Sequence, residues 1–171
     1  MLGLVQIYTG NGKGKTTAAV GLAVRAAGRG LTSHIIHFMK GGKESGEDIA
    51  LTAIEEISVK NIGKNLLGAQ PPSVLEAKDS LQQALDEARN AVSGQFDLVV
   101  LDEILVACSM GLVSEREIMT IISLKSEKTE LVMTGRGATD NLIKAADLVT
   151  EMREIKHPFS SGRKARKGIE F

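Results

Sequence analysis

Nine residues constrain this chain more than any others: Thr9-Gly10-Asn11-Gly12-Lys13-Gly14-Lys15-Thr16-Thr17. They follow an apolar run, Leu4-Val5-Gln6-Ile7-Tyr8, and lead into an alanine-rich segment from Thr17 to Ala27 that reads as helix. Strand, glycine loop and helix, in that order, make the context in which a loop binds phosphate. Glycines let backbone N–H groups curl round an anion, and the helix start adds its partial positive charge. Lys15 can reach the terminal phosphates as a point charge, and the Thr16 hydroxyl can ligate Mg²⁺. A lone Gly-Lys-Thr is usually a plain tight turn, but here all three parts are in register. One irregularity stands out. The usual spacing asks for glycine at position 9, where the chain has Thr9, and Gly10 comes one residue late. The loop is a variant, and a nucleotide need not lie in it in the ordinary way.

Further along, Gly28-Arg29-Gly30 stops the first helix, and Ser33-His34-Ile35-Ile36-His37-Phe38 reads as a second strand. Residues 39–48 form a polar, glycine-rich loop at its end, followed by a short helix over 49–54 and a short strand over 57–62. Residues 63–72 are irregular and close with Pro71-Pro72. Ser73 and Glu76 then match a capping box. The helix it starts has apolar residues at Val74, Ala77, Leu81, Ala84, Leu85, Ala88, Ala91 and Val92, a helical period, and Gly94 ends it. Phe96-Asp97-Leu98-Val99-Val100-Leu101 is nearly all apolar, as expected of a strand buried on both faces of a parallel sheet. It delivers Asp102-Glu103 at its C-terminal end. Ser114 to Glu117 is a second capping box and helix start. Residues 130–134 make a strong strand, 139–146 a helix and 148–152 a last strand. The tail from Arg153 is basic and lacks periodicity. Alternating strands and helices without a linker predict one α/β domain, three-layered and mostly parallel, spanning 1–171.

The 171 residues are 43% hydrophobic, enough for one real core. Lys+Arg and Asp+Glu balance at 21 each, so nothing global points to nucleic acid or to a membrane. No secretory signal or membrane-spanning run is visible. The single cysteine, Cys108, excludes an intramolecular disulfide and reads as a small buried side chain in a helix. A reducing compartment, the cytoplasm, is expected.

In sheets of this kind ligands bind outside the carboxyl ends of the strands. Four features meet there: the glycine loop, Lys40-Gly41-Gly42-Lys43, Asp102-Glu103 and Thr134-Gly135-Arg136. An apolar strand ending in Asp-Glu is the usual partner of a phosphate loop, because a hard cation needs carboxylate ligands beside the phosphates. One of the two acids could instead cap the next helix; both together could not, so at least one is assigned to the metal. Arg136 could neutralise phosphate charge or form a structural salt bridge. His34, His37 and His157 lack metal-ligand spacing, and the first two read as strand residues.

These motifs, with Val99-Val100-Leu101-Asp102-Glu103, Ala146-Asp147-Leu148-Val149-Thr150-Glu151-Met152, Lys156-His157-Pro158 and Gly168-Ile169-Glu170-Phe171, resemble the phosphate-loop corrinoid adenosyltransferases. The resemblance runs from the first strand to the last residue. It implies a RecA-like phosphate-loop fold and the same variant loop spacing. It also implies transfer of the 5′-deoxyadenosyl group of ATP to the cobalt(I) of a corrinoid, with triphosphate leaving. Under it, Thr9, Gly10, Asn11, Gly12, Lys13, Gly14, Lys15, Thr16, Thr17 and Arg136 bind the nucleotide. Lys15, Thr16 and Glu103 serve catalysis, and Thr16, Glu103 and Asp102 hold Mg²⁺ or Mn²⁺. A reduced corrinoid, an electron-donating flavoprotein and a second copy of the chain are the implied partners, with no role for nucleic acid or membrane. Two departures are visible. Many members carry residues before the first strand, whereas this sequence opens on it. Many also have a Gly-Phe-x-Trp segment against the corrinoid, where this chain has Gly63-Lys64-Asn65-Leu66 and no Trp anywhere. The competing expectations are a small-molecule kinase or NTPase, and a non-catalytic nucleotide-binding regulator whose basic tail (Arg163, Lys164, Arg166, Lys167) contacts an acidic partner.

Overall fold

The glycine loop joins β1 (Val5–Thr9) directly to α1 (Lys15–Ala27). The structure is a computed structural model that describes residues 2–40, 45–62, 74–158, 162 and 165–169. After α1 come β2 (Ser33–His37), α2 (Gly46–Leu51), β3 (Ile57–Asn61), α3 (Val74–Val92), β4 (Leu98–Asp102), α4 (Ile104–Ser109), α5 (Glu115–Leu124), β5 (Glu130–Thr134), α6 (Asp140–Ala145) and β6 (Leu148–Glu151). All six strands are parallel, in the order β3-β2-β4-β5-β1-β6. This is a three-layer, RecA-like α/β sheet, as expected. Every strand therefore delivers its C-terminal end to the same edge.

Alternation of side chains along each strand builds two cores. Ile7, Ile36, Val99, Leu101, Leu131 and Met133 face α3, α5 and the shorter α4 and α6, packing on Leu81, Ala84, Leu85, Ile104, Ile118, Ile121 and Leu142. Their neighbours Ile35, Leu98, Val100 and Val132 face the other way, onto Ala19 and Ala23 of α1 and Leu51 of α2. β2 and β4 are buried at all five positions; β4 is accordingly apolar up to Asp102, whereas β2 buries Ser33, His34 and His37 beside its two isoleucines. β6, at the edge, is exposed at all four.

Several boundaries differ from the sequence expectation, each for a local reason. α1 begins at Lys15 rather than Thr17, because Gly14 at φ 110° makes a left-handed N-cap. α2 spans Gly46–Leu51 instead of 49–54: Ser45 and Asp48 form a capping box at its start. The expected box at Ser114 and Glu117 is present, and Thr139 caps α6 rather than belonging to it. The helix expected around Cys108 is α4, whose bounds the sequence did not define. Its six residues are too few to show a period. The cap at Ser73, the irregular segment 63–72, and Gly41, Gly42 and Lys43 lie outside the described residues, as do Arg163, Lys164, Glu170 and Phe171.

Leu101 is wholly buried, whereas Ser114 sits on the surface and contributes a helix cap. Urea unfolding should show Leu101→Ala costing about 2–5 kcal/mol, a transfer plus cavity effect. Ser114→Ala should cost roughly 1 kcal/mol, the usual value of an N-cap. Equal losses would mean that the core on this face is not the main source of stability.

Candidate functional site

The loop carries its glycines where the last strand presses against it. The N–H of Gly12 donates to the carbonyl of Met152 at 2.6 Å, and the N–H of Met152 donates to the carbonyl of Thr9 at 2.8 Å. A Cβ at Gly10 would lie 2.5 Å from the Met152 carbonyl oxygen, and one at Gly12 would lie 2.7 Å from it. Gly10 also has φ +93°. Thr9, by contrast, is an ordinary strand residue paired with Glu151. The late glycine thus has a physical cause: the close approach of β6 falls on positions 10 and 12.

Lys15, the first residue of α1, turns back over the loop. Its Nζ donates to the carbonyls of Gly10 and Gly12, both at 2.7 Å. Partial burial and the neighbouring Arg136 lower its pKa, partly offset by Glu103 and Asp102. It therefore sits at the mouth of a cleft of about 650 Å³, whose walls include Asn11, Gly12, Lys13, Gly14, Thr16 and Thr17. Glu103, Thr134, Arg136, Lys40 and Glu47 complete the wall, with His157 and Ile169 from the tail. Lys13 reaches the tail through the carbonyl of Ile169 at 3.0 Å. Arg136 is exposed on this wall and makes no ion pair among the described residues. Thr9, Gly10 and Asp102 lie behind the lining rather than in it.

Asp102 and Glu103 are adjacent in sequence but opposite in situation. Asp102 is fully buried. One carboxylate oxygen, Oδ1, accepts from the hydroxyls of Thr16 at 2.8 Å and Thr134 at 2.7 Å. The other, Oδ2, faces His37 Nδ1 at 2.8 Å and Lys40 Nζ at 3.5 Å. Burial alone would raise this acid, but the His37 hydrogen bond, the Lys40 charge and the Thr134 hydroxyl hold it at about 2. Glu103 is the only non-glycine with positive φ among the described residues, at 63°, and is the N-cap of α4. Such a residue is held by its surroundings: its N–H donates to Thr134 Oγ1 at 3.0 Å. The turn leaves its carboxylate on the cleft wall with no hydrogen bond or ion pair among the described residues. Burial, then the charge of Asp102, push its pKa up. Gly135 follows from the same turn. A Cβ there would come within 2.7 Å of the Val106 nitrogen of α4.

The donor set suits a hard cation. Thr16 and Glu103 offer oxygen atoms on the cleft wall, and no group of three or more His, Cys, Asp or Glu fit for a metal occurs among the described residues. Mg²⁺ is commonly held this way, through one or two carboxylates plus substrate phosphates. Sequence reasoning set Lys40 at the ligand edge, where the structure has it, but missed its contact with Asp102 and the roles of His37 and Glu47. His37 stands at the end of a strand, a position that could have flagged it; the capping pattern Ser45 to Asp48 was the only signal for α2 and its Glu47. Cys108, partly buried in α4 and raised by that burial, lies outside the cleft lining.

The depressed Asp102 pKa implies a pH dependence of stability. An acid held lower in the folded state stabilises it fully above its unfolded value near 3.8 and less as pH falls toward about 2. Unfolding free energy should therefore drop by roughly 2 kcal/mol over that acid window, on 1.4 kcal/mol per pKa unit. Asp102→Asn should flatten that limb. An unchanged acid limb in the variant would place the linkage elsewhere.

Comparison with known proteins bears on this arrangement. The family model described as ATP:corrinoid adenosyltransferase BtuR/CobO/CobP matches residues 1–171. The corrinoid adenosyltransferase of Pseudomonas aeruginosa is 35% identical, over 99% of this chain and 84% of that protein. That of Sinorhizobium sp is 35% identical over 99% and 80%, and that of Escherichia coli K12 32% identical over 99% and 86%. A match that covers every residue, on a sheet and loop of this geometry, leaves one assignment: the chain belongs to the ATP:corrinoid adenosyltransferase family.

Proposed function

We propose that the cleft binds ATP by its triphosphate and transfers the 5′-deoxyadenosyl group to the cobalt(I) of a reduced corrinoid. Cobalt(I) attacks C5′; a cobalt–carbon bond forms as the C5′–oxygen bond breaks, and the electron pair leaves on triphosphate. The nucleophile needs no deprotonation, so the protein's work is positioning and stabilisation of the leaving group. The observation that carries the reading is Lys15, held over the loop at the start of a 13-residue helix, facing the wall that carries Glu103. Its ammonium and the loop N–H groups up to residue 16, apart from that of Gly12, which Met152 already holds, would meet the phosphates, with the helix N-terminus adding favourable potential. Arg136, exposed on the same wall, would add a further cation. Thr16 and Glu103 would hold Mg²⁺ or Mn²⁺, with Asp102 behind Thr16 fixing its hydroxyl. When bound, that cation neutralises charge on the departing triphosphate.

The same reading carries the remaining expectations. A flavoprotein would supply the electron that makes cobalt(I). A lone free thiol suits a reducing compartment, here the cytoplasm. Two copies would associate, which the exposed Leu148 and Val149 of the edge strand β6 support.

The direct test is anaerobic. ATP and chemically reduced cobalamin should yield the absorption spectrum of a cobalt–carbon bond together with inorganic triphosphate. ADP as product would assign phosphoryl transfer instead, and binding without turnover a regulator. Lys15→Ala should lower turnover by at least ~10²-fold, the scale for losing one preorganised stabiliser; near-normal turnover would remove the triphosphate from this loop. Glu103→Gln should raise the Mg²⁺ concentration giving half-maximal rate, because a neutral amide is a poorer ligand for a hard cation. If the Mg²⁺ titration of this variant overlays that of the parent, Glu103 is not a ligand.

A further inference from the structure

His37 is wholly buried at the end of β2, yet it belongs to no part of the apolar core. In register it lies opposite Asp102 of β4 on one side and Asn61 of β3 on the other. Its Nδ1 is 2.8 Å from Asp102 Oδ2 and its Nε2 is 3.1 Å from Asp48 Oδ1. Asp48 is in turn held at Oδ2 by Asn61 Nδ2 at 3.3 Å and by the Ser45 N–H at 3.1 Å. Thr134 and Thr16 complete the row from the far side of Asp102. Polar side chains from four adjacent strands thus run in one line beneath the cleft, on the face covered by α1 and α2. A carboxylate oxygen only accepts, so a hydrogen bond at each of these two contacts needs a proton on the ring nitrogen that makes it.

We propose that His37 is a positioning residue for the metal and phosphate corner of the cleft, acting through Asp102 on the Thr16 hydroxyl and through Asp48 on the start of α2. This deepens the adenosyltransferase reading and rests on it. The geometry explains both ends. With Thr16 and Thr134 on Oδ1 and Lys40 on the outer side of Oδ2, the Asp102 carboxylate has one orientation that serves all its donors, and His37 fixes it. The Thr16 hydroxyl donates to Oδ1, which leaves its lone pairs turned away from Asp102 and available to a cation. Asp48 ties the same ring to the first turn of α2, where Gly46 and Glu47 line the cleft and Glu47 meets Lys40 at 3.2 Å. Without the ring, two buried carboxylates would lose the donor between them, and the cost would fall on the orientation of Asp102.

A purely structural histidine would also destabilise the fold on removal, so the test reads Mg²⁺ dependence rather than stability. Calorimetric titration with ATP is done with Mg²⁺ and again with EDTA, on the full chain. His37→Leu should weaken ATP binding about 10-fold with Mg²⁺, the scale for loss of an outer partner of a metal ligand, and change binding in EDTA little. Lys15→Ala should weaken both. His37→Gln keeps donation to Asp102 but sets its amide oxygen against Asp48, and should weaken the Mg²⁺-dependent part. Adding Asp48→Asn to it gives that oxygen a donor and should restore the Mg²⁺ effect. Parental Mg²⁺ dependence in His37→Leu overturns the proposal. Where that variant does not fold, the glutamine pair decides. Rescue by the second substitution supports the proposal; equal impairment, or no impairment, in both sinks it. Absence of ATP binding by the parent chain would instead overturn the adenosyltransferase reading itself.

Discussion

The structure depends on burying one carboxylate. Asp102 stands at the end of the central strand β4 with no exposed surface, and an unpaired charge there would cost several kcal/mol. Its four donors come from four places: Thr16 at the start of α1, Thr134 at the end of β5, His37 at the end of β2, and Lys40 beyond it. Each is useful to the cleft only if it stays where Asp102 needs it. Satisfying the acid therefore sets the relative positions of the phosphate loop, the Thr-Gly-Arg strand end and the wall that leads to α2. The interaction is also why the two acids divide their work. Asp102, saturated on both oxygens, acts as an organiser, while Glu103, turned outward by its left-handed backbone, is left on the cleft wall.

A second constraint acts from the edge of the sheet. β6 contributes no buried side chain, yet its end shapes the phosphate loop through the backbone of Met152. That contact demands glycine at 10 and 12 and permits threonine at 9. The loop's departure from the common spacing is then a consequence of strand order. With β6 beside β1, the chain leaving β6 passes directly under the loop, continuing to His157 and, later, to Ile169 on the cleft wall. His157 and Ile169 thus line the cleft beside the loop, and Lys13 reaches the Ile169 carbonyl.

What could be read from sequence follows from what is local. Strands such as Leu98–Asp102, buried on both faces, announce themselves by continuous apolar character, and capping boxes such as Ser114 with Glu117 depend on four residues alone. The placement of the loop and of Asp102-Glu103 at one edge was legible because a parallel sheet delivers all its strand ends to the same side. The His37–Asp48 link was not, since it joins residues 11 positions apart whose meeting depends on where α2 docks. Nor was the separation of roles within Asp102-Glu103: it is made by a single backbone angle at residue 103. The bounds of α4 escaped for a third reason. Residues 104–109 are apolar almost throughout, so neither a helical nor a strand period is visible, and the element is defined by packing against Gly135.

The choice of chemistry within such a cleft turns on which phosphate bridge the fixed cations face. In phosphoryl transfer, negative charge grows between the β and γ phosphates, and a base or a positioned water completes the site. In adenosyl transfer all three phosphates leave together, so charge grows on the oxygen next to C5′, and the nucleophile arrives with its electron pair ready. A site for the second reaction gains from rigid donors around the triphosphate and needs no proton acceptor beside C5′. The arrangement here has that character: Lys15 is pinned by two carbonyls, and Thr16 is held through a buried acid braced on three sides. These groups are held by contacts within the chain itself. Preorganisation of this kind favours the transition state because the reorganisation of dipoles has already been done in folding. On the proposed function, the buried network beneath the cleft would serve the reaction by holding Thr16 and Asp102 in place, although none of its inner members lines the cleft.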